Sequence, residues 1–379
     1  MTELVLTHAR VVLAHEVISG TVRVRDGRID AIDSGTTCVP GAVDLEGDYL
    51  LPGLVELHTD NLERHLMPRP RVYFPVQPAV QSHDAEVAAA GITTVFDAIG
   101  VGDPYDEGFR ARDQGELLGV LDRLETAGAL RAEHLIHVRC ELPAPNARQL
   151  FEPFAAHPRL RLISLMDHTP GQRQWSDVEH ARIYYTGKKG WSAEKFEAEL
   201  RAAPERQTRH AAPNRRWFAE FARQHGVALA THDDTTVEHV DEAVALGASM
   251  SEFPTTLEAA RHARSRGLAT IAGAPNVVRG GSHSGNVAAL DLARAGVLDA
   301  LSSDYVPASL LTAAWKLHRE GGHTLSEAIN TVSRNPARAS GLVDRGEIAP
   351  GLRADLVRAR EVHDHPVVRW VWRAGVRVA

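Results

Sequence analysis

The chain changes its hydrophobic rhythm twice. In residues 1–50, "LVLTHARVVLA", "GTVRVRDGRIDAID" and "AVDLEGDYLLPG" alternate apolar and polar residues, with Asp-Gly and Glu-Gly turns between them. Period-two alternation predicts half-buried β-strands. The C-terminal "GEIAPGLRADLVRAR" and "VVRWVWRAGVRVA" return to that style. Two β-rich ends predict a small β-sandwich domain built from both termini, 1–50 and 341–379.

Residues 51–340 have another rhythm. A helical stretch ends at a glycine and an apolar strand follows at once, at Gly91, Gly247, Gly267 and Gly296. Glycine after a helix is the usual left-handed cap. Near-continuous apolar strands alternating with helices predict a parallel sheet covered by helices. Strands are expected at 54–58, 94–98, 135–141, 160–168, 228–232, 249–253, 268–273 and 298–304. Eight such units predict an α/β fold, a (β/α)8 TIM-like barrel, over 51–340. The rival, an open doubly wound sheet, would want a GxGxxG loop after an early strand, and none is present.

Residues 169–217 break the pattern. Between Gly171 and Arg216 they hold ten Lys/Arg against six Asp/Glu. A long excursion in a compact domain is a lid or is disordered; Trp175, Tyr184, Tyr185 and Trp191 argue for order.

Composition narrows the classes. The chain has 379 residues and a formal charge of −7, which speaks against a nucleic-acid binder. Only Cys38 and Cys140 are present, with no CxxC, so a disulfide framework is excluded and a reducing cytoplasm is expected. No stretch reaches the ~18 apolar residues of a membrane span.

The chemistry collects at strand ends. The first strand ends in His58 and Asp60, the third in Glu141, the fourth in Asp167 and His168. The fifth ends in His232, Asp233 and Asp234, the eighth in Asp304. In a parallel barrel these ends share one mouth, where active sites sit. Residues i and i+2 on a strand share a side, so His58 and Asp60 can converge. One such residue alone reads better as a loop hydrogen-bonder; five strands in register read as a divalent metal site with room for two ions. Asp97 and Asp233 could fix histidine tautomers from behind.

A second constellation is "GAPNVVRGGSHSGNV", with Asn276, Arg279, Gly280, Gly281, Ser282 and His283 ahead of a helix. Glycines admit close approach, and exposed N–H groups at a helix start bind anions. Arg64, Arg69 and Arg71 follow the first strand, and Arg173, Lys188 and Arg215 lie in the basic excursion. Together they predict a polyanionic small-molecule substrate. Asn61 belongs to the same mouth. His83, at a helix start, reads equally as a substrate-side or supporting group of the site and as a residue with no part in it.

These motifs resemble the amidohydrolase superfamily: β-rich ends around a barrel, "PGLVELHTDN", and a terminal "SSD". Within it, "HTDNLERH", "RCELP", "SLMDHTPGQRQ", "YYTGK", "EFPTT" and "GAPNVVRGGSHSGN" resemble the diphosphatases of the bacterial carbon–phosphorus lyase pathway. The resemblance implies hydrolysis of a ribosyl phosphonate 5-triphosphate, a polyanionic sugar triphosphate, to the 5-phosphate and pyrophosphate. It implies zinc, with manganese or iron as alternatives, and magnesium accompanying the triphosphate. The implied ligands are His58, Asp60, His168, His232 and Asp304. Glu141 would bridge two ions in place of the superfamily's carboxylated lysine, and Asp304 would take the proton from water. The superfamily's first motif is His-x-His; here it is His58-Thr59-Asp60. A homo-oligomer is left open. The rivals are C–N hydrolysis in the same fold and a non-catalytic barrel subunit.

Overall fold

The computed structural model describes residues 3–69, 72–104, 114–188, 190–282 and 285–379. Eight parallel strands follow one another in chain order around one sheet. They are Leu54–Thr59, Ile92–Val101, Glu133–Glu141, Leu160–Met166, Ala228–His232, Met250–Glu252, Ala269–Gly273 and Ala300–Ser302, called barrel strands one to eight below. The eighth meets the first. Thr59 and Asp304 form a parallel bridge, the Asp60 amide donates to the Asp304 carbonyl, and the Asp304 amide donates to the His58 carbonyl, both at 3.0 Å. Closure leaves the strands no free edge. All eight strands fall where the apolar runs predict them. Gly91, Gly247, Gly267 and Gly296 all adopt positive φ, as the cap reading requires.

Glu56 reinforces the closure. Its carboxyl accepts from the His58 amide at 2.7 Å on its own strand and from the Ser303 amide at 2.6 Å after the eighth. Burial raises its pKa to about 8, so it is largely protonated at neutral pH. Inside the barrel, Val55, Phe96, Leu162, Met250 and Ile271 fill the lower core. A layer of apolar residues between strands and helices covers the outside.

Both termini enter a second sheet. Its strands run in the order Val376–Arg377, His365–Arg373, Leu356–Val362, Tyr49–Pro52, Glu3–Val12, Val17–Arg25, Arg28–Ser34. Val43–Asp44 also pairs with Glu3–Val12. This is one continuous hydrogen-bonded path, curled over its own core of Leu6, Val22, Leu50, Leu356 and Trp372. The sandwich expected from both termini thus takes the form of one continuous sheet folded over a core. Gly53 joins sheet and barrel. A Cβ there would lie 2.3 Å from Thr93 Oγ1 and 2.8 Å from the Asp355 Cβ, so only glycine fits.

The basic excursion is ordered around its aromatics, as expected. Trp175, Tyr185, Trp191 and Phe196 form a buried cluster, with the Tyr185 and Trp191 rings stacked at 4.6 Å. A helix, Ala193–His225, makes up most of the rest. Ser192 caps its start and Gly226 its end. The sequence hides this helix because Pro204 and Pro213 interrupt it. Each proline lacks an N–H and so leaves the carbonyl four residues earlier, that of Leu200 or Arg209, without its helical backbone donor. Among the described residues, no helix is long and apolar enough to cross a membrane.

Candidate metal centre

Three histidines from three barrel strands meet at the C-terminal mouth. His58, His168 and His232 belong to the first, fourth and fifth units, and all lie buried or nearly so. The His58 and His232 rings are 5.6 Å apart and the His168 and His232 rings 5.8 Å. Each has a carboxylate on its Nδ1. Glu252 holds His58 at 3.3 Å, Glu141 holds His168 at 2.6 Å, and Asp233 holds His232 at 2.7 Å. A ring that donates Nδ1–H to a carboxylate keeps its lone pair on Nε2. None of the three Nε2 atoms has a hydrogen-bond partner among the described residues, and that of His232 is buried and unsatisfied. Metal-bound histidines nearly always show this arrangement. Burial pushes the His58 pKa well down, so that ring is neutral and able to coordinate. The donor set fits a divalent cation.

The backbone aims these groups. Asp233, Phe253 and Asp304 leave the fifth, sixth and eighth strands at φ values of 56, 53 and 54°. Non-glycine residues seldom adopt the left-handed region, and strain of this kind collects at functional sites. Asp234 supports the fifth strand from behind. Its carboxylate accepts from Thr231 Oγ1 at 2.5 Å, Ser251 Oγ at 2.7 Å and Arg173 Nη1 at 3.0 Å.

The other expected site residues are placed as follows in the fold. Both oxygens of Glu141, the expected bridging group, accept from His168, at its amide and its Nδ1. Asp60 lies with its Oδ2 3.9 Å from Arg139 Nη1. Asp304 stands beside Asp60 at the barrel closure. Arg173 is buried and tied to the His232 carbonyl and Asp234. Asn61 is fully buried and bonds His83 and Glu86. Arg64 is paired with Glu86 at 2.7 Å, and Arg215 with Glu242 at 2.8 Å. Arg69 is exposed. His83 has no exposure.

The glycine loop also departs from expectation. Ala274–Arg279 is a short helix, and Gly280 is its C-cap. The Gly280 and Gly281 amides both donate to the Asn276 carbonyl at 3.0 Å. They sit at a helix C-terminus, the end that repels anions, with their N–H groups in use. Asn276 fastens the following segment through the Ala289 amide and the Val287 carbonyl. Arg279 is exposed and has no partner among the described residues. Ser282 is half-buried. His283, Arg71 and the Lys188 side chain lie outside the described residues.

Three inward residues escaped the sequence reading. Glu252 ends the sixth strand, a strand-end carboxylate of the kind sought elsewhere. His137 and Arg139 share the third strand's inner face with Glu141 at i, i+2 spacing, a signal present but unread. His137 donates from Nδ1 to the Leu57 carbonyl at 2.9 Å, and burial lowers its pKa to about 3. Burial opposes the Arg139 charge, but Asp60, Glu63, Asp304 and Glu252 outweigh it and raise its pKa.

A closed parallel barrel with a histidine–carboxylate mouth defines a metal-dependent hydrolase of the amidohydrolase type, and the chain belongs to the amidohydrolase family. The family model matches residues 208–375. Along 99% of its length the chain is 45% identical, over 381 residues, to the whole of alpha-D-ribose 1-methylphosphonate 5-triphosphate diphosphatase of Escherichia coli (strain K12). Two solved structures share the fold at low identity. They are 5-methylcytosine deaminase from Klebsiella pneumoniae (TM-score 0.65, 15% identity, 99% of this chain and 97% of that one) and N-acetyl-D-glucosamine-6-phosphate deacetylase from Mycobacterium smegmatis (TM-score 0.62, 18% identity, 99% and 100%).

Proposed function

We propose that this chain hydrolyses alpha-D-ribose 1-methylphosphonate 5-triphosphate to the 5-phosphate and pyrophosphate, in phosphonate catabolism. The observation that carries the proposal is the 45% identity along the full length of both chains to a diphosphatase of that name. The donor chemistry at the mouth supports it. His58, His168 and His232 would hold a divalent cation through Nε2, zinc first, with Asp60 and Asp304, whose backbones meet at the barrel seam beside His58, as the candidates for further ligands. Such a cation, when bound, supplies Lewis-acid polarisation of a phosphoryl oxygen and acidifies water. Glu252, Glu141 and Asp233 keep the three imidazoles in the correct tautomer and rotation. Asp304, facing the first strand's ligands across the barrel seam, takes the proton of the attacking water. Pyrophosphate leaves without needing an acid, because its charge spreads over several oxygens.

The reading is tested by metal analysis of the purified protein and a phosphorus NMR assay in oxygen-18 water. The expected products are pyrophosphate without label and a labelled sugar 5-phosphate. Label in pyrophosphate, or orthophosphate as first product, would place the attack at another phosphorus. Asp304→Asn should keep the fold and the metal but lose turnover; turnover at the wild-type rate would remove Asp304 as the base.

A further inference from the structure

Three of the six arginines expected to meet the substrate are spent on other partners. Arg64, Arg173 and Arg215 are each paired with a carboxylate of the chain. Among the described residues, a cation that faces the mouth from inside is Arg139, on the third barrel strand. Its neighbours on that face are His137 below and Glu141 above, two residues away in each direction. Its side chain is 15% exposed, so it stands in the wall at the bottom of the mouth.

The donors of Arg139 are nearly idle. A guanidinium offers five N–H groups in a fixed fork. Among the described residues the one hydrogen bond is from Nε to the thioether Met166 Sδ at 3.4 Å, a weak acceptor. The nearest carboxylate oxygen, Asp60 Oδ2, is 3.9 Å from Nη1, beyond hydrogen-bond reach. None of its nitrogens is among the buried atoms lacking a partner, so its free donors open onto accessible space. Asp60, Glu63, Asp304 and Glu252 balance its charge through space, but no carboxylate oxygen of the described residues lies within hydrogen-bond reach of the fork, and desolvated N–H donors are costly until acceptors join them. A structural arginine would have been given its acceptors by the fold, as Arg173 has.

We propose that Arg139 is a substrate-binding, specificity-determining residue: its guanidinium binds a phosphate oxygen pair of the polyphosphate at the floor of the mouth. The proposal rests on the phosphoanhydride reading above. The fork geometry suits two oxygens of one phosphoryl group, which lysine cannot match. A neutral ring substrate would leave the fork unanswered, so Arg139 also separates a polyphosphate from the amide and amine substrates of the wider fold.

The test uses the metal-loaded full chain with Arg139→Gln and Arg139→Lys. Pyrophosphate is the probe, titrated by calorimetry, with metal content and thermal midpoint measured in parallel. The expected result for Arg139→Gln is wild-type metal content and pyrophosphate binding weakened about 10- to 100-fold. Arg139→Lys should fall between the two, since it keeps charge and loses the fork. In steady state the loss should appear chiefly in KM for a triphosphate. Wild-type pyrophosphate affinity in Arg139→Gln overturns the proposal while leaving the reaction assignment intact. Loss of metal from Arg139→Gln with unchanged affinity per loaded site also overturns it, making Arg139 a positioning residue for Asp60. A wild-type protein that neither binds pyrophosphate nor cleaves a triphosphate overturns both.

Discussion

Two regions of this molecule are built from the same parts and do different things. At the mouth, His58, His168 and His232 each meet one carboxylate. On the outer wall, between barrel strands two and three and the helix Val76–Ala89, a second chain of imidazoles and carboxylates is fully buried. Asn61 Nδ2 donates to His83 Nδ1 at 3.0 Å, and His83 Nε2 donates to Asp97 at 2.7 Å. His134 donates to Asp97 at 2.8 Å through Nδ1 and to Asp84 at 3.3 Å through Nε2. The difference lies in the nitrogen that is left over. Every imidazole nitrogen on the wall is used; every mouth histidine keeps one open. Distance alone does not separate the two clusters, since both bring histidines and carboxylates within ligand range of one another. The wall is a closed structural circuit, and the mouth is an open one whose free nitrogens fit a cation.

The strongest way to break this comparison is to remove an open nitrogen. His232→Ala deletes an unsatisfied buried Nε2 at the middle of the three rings. The expected outcome is loss of bound metal and turnover reduced to background, with the thermal midpoint of the metal-free protein little changed. Elemental analysis showing full metal in the variant would mean that the rings do not share an ion.

A smaller loss is expected one step further out. Glu252→Gln keeps the shape of the side chain but weakens the acceptor on His58 Nδ1. Partners of this kind are worth about 10- to 100-fold in metal affinity. Competition with a chelator of known affinity measures the change directly. An unaltered affinity would make Glu252 a bystander.

The wall should behave in the opposite manner. Asp97→Asn leaves His134 charged with half its pairing gone, and breaking one partner of a buried ion pair costs about 3–5 kcal/mol. Denaturation should show that loss, while metal content and turnover per folded molecule hold. Selective metal loss in Asp97→Asn would show the two circuits to be joined through Asn61, one residue from Asp60.

The same contrast explains what could be read from the chain and what could not. The eight barrel strands were legible because apolar runs, glycine caps and helical stretches all agree. Histidines and acids at strand ends were legible as a set, because register brings them to one mouth. Their individual parts were not. Glu141 and Glu252 are both strand-end carboxylates, and nothing in one dimension says which atom meets a ring and which meets a cation. Arg173 and Arg279 look alike as letters. One is buried on Asp234, the other exposed at a helix end. The glycine loop misled for a related reason. Gly280-Gly281 ahead of a helix reads as an anion cradle, but a six-residue helix precedes it and claims both amides.

The smallest predicted effect is a pH dependence confined to the wall. Burial disfavours charge on His134, but Asp97 and Asp84 outweigh it and raise its pKa to about 9. Both ring nitrogens then donate, as the hydrogen bonds require. Burial keeps the neighbouring His83 below its usual value, so it stays neutral and serves as acceptor for Asn61. Asp97, held well below the usual carboxylate range by the two imidazoles, remains ionised throughout. The folded state thus keeps a proton on His134 that the unfolded chain releases near pH 6.5. That contribution to stability is complete below the unfolded value and is lost as pH rises through about 9, with a slope of at most ~1.4 kcal/mol per pH unit. Urea denaturation of wild type and His134→Gln from pH 6 to 10 isolates it. The stability gap between the two proteins should be widest at the acid end and narrow steadily toward pH 10. A gap that is constant over that range would mean that His134 is neutral in the folded protein, and the wall would then be held by hydrogen bonds without a buried cation.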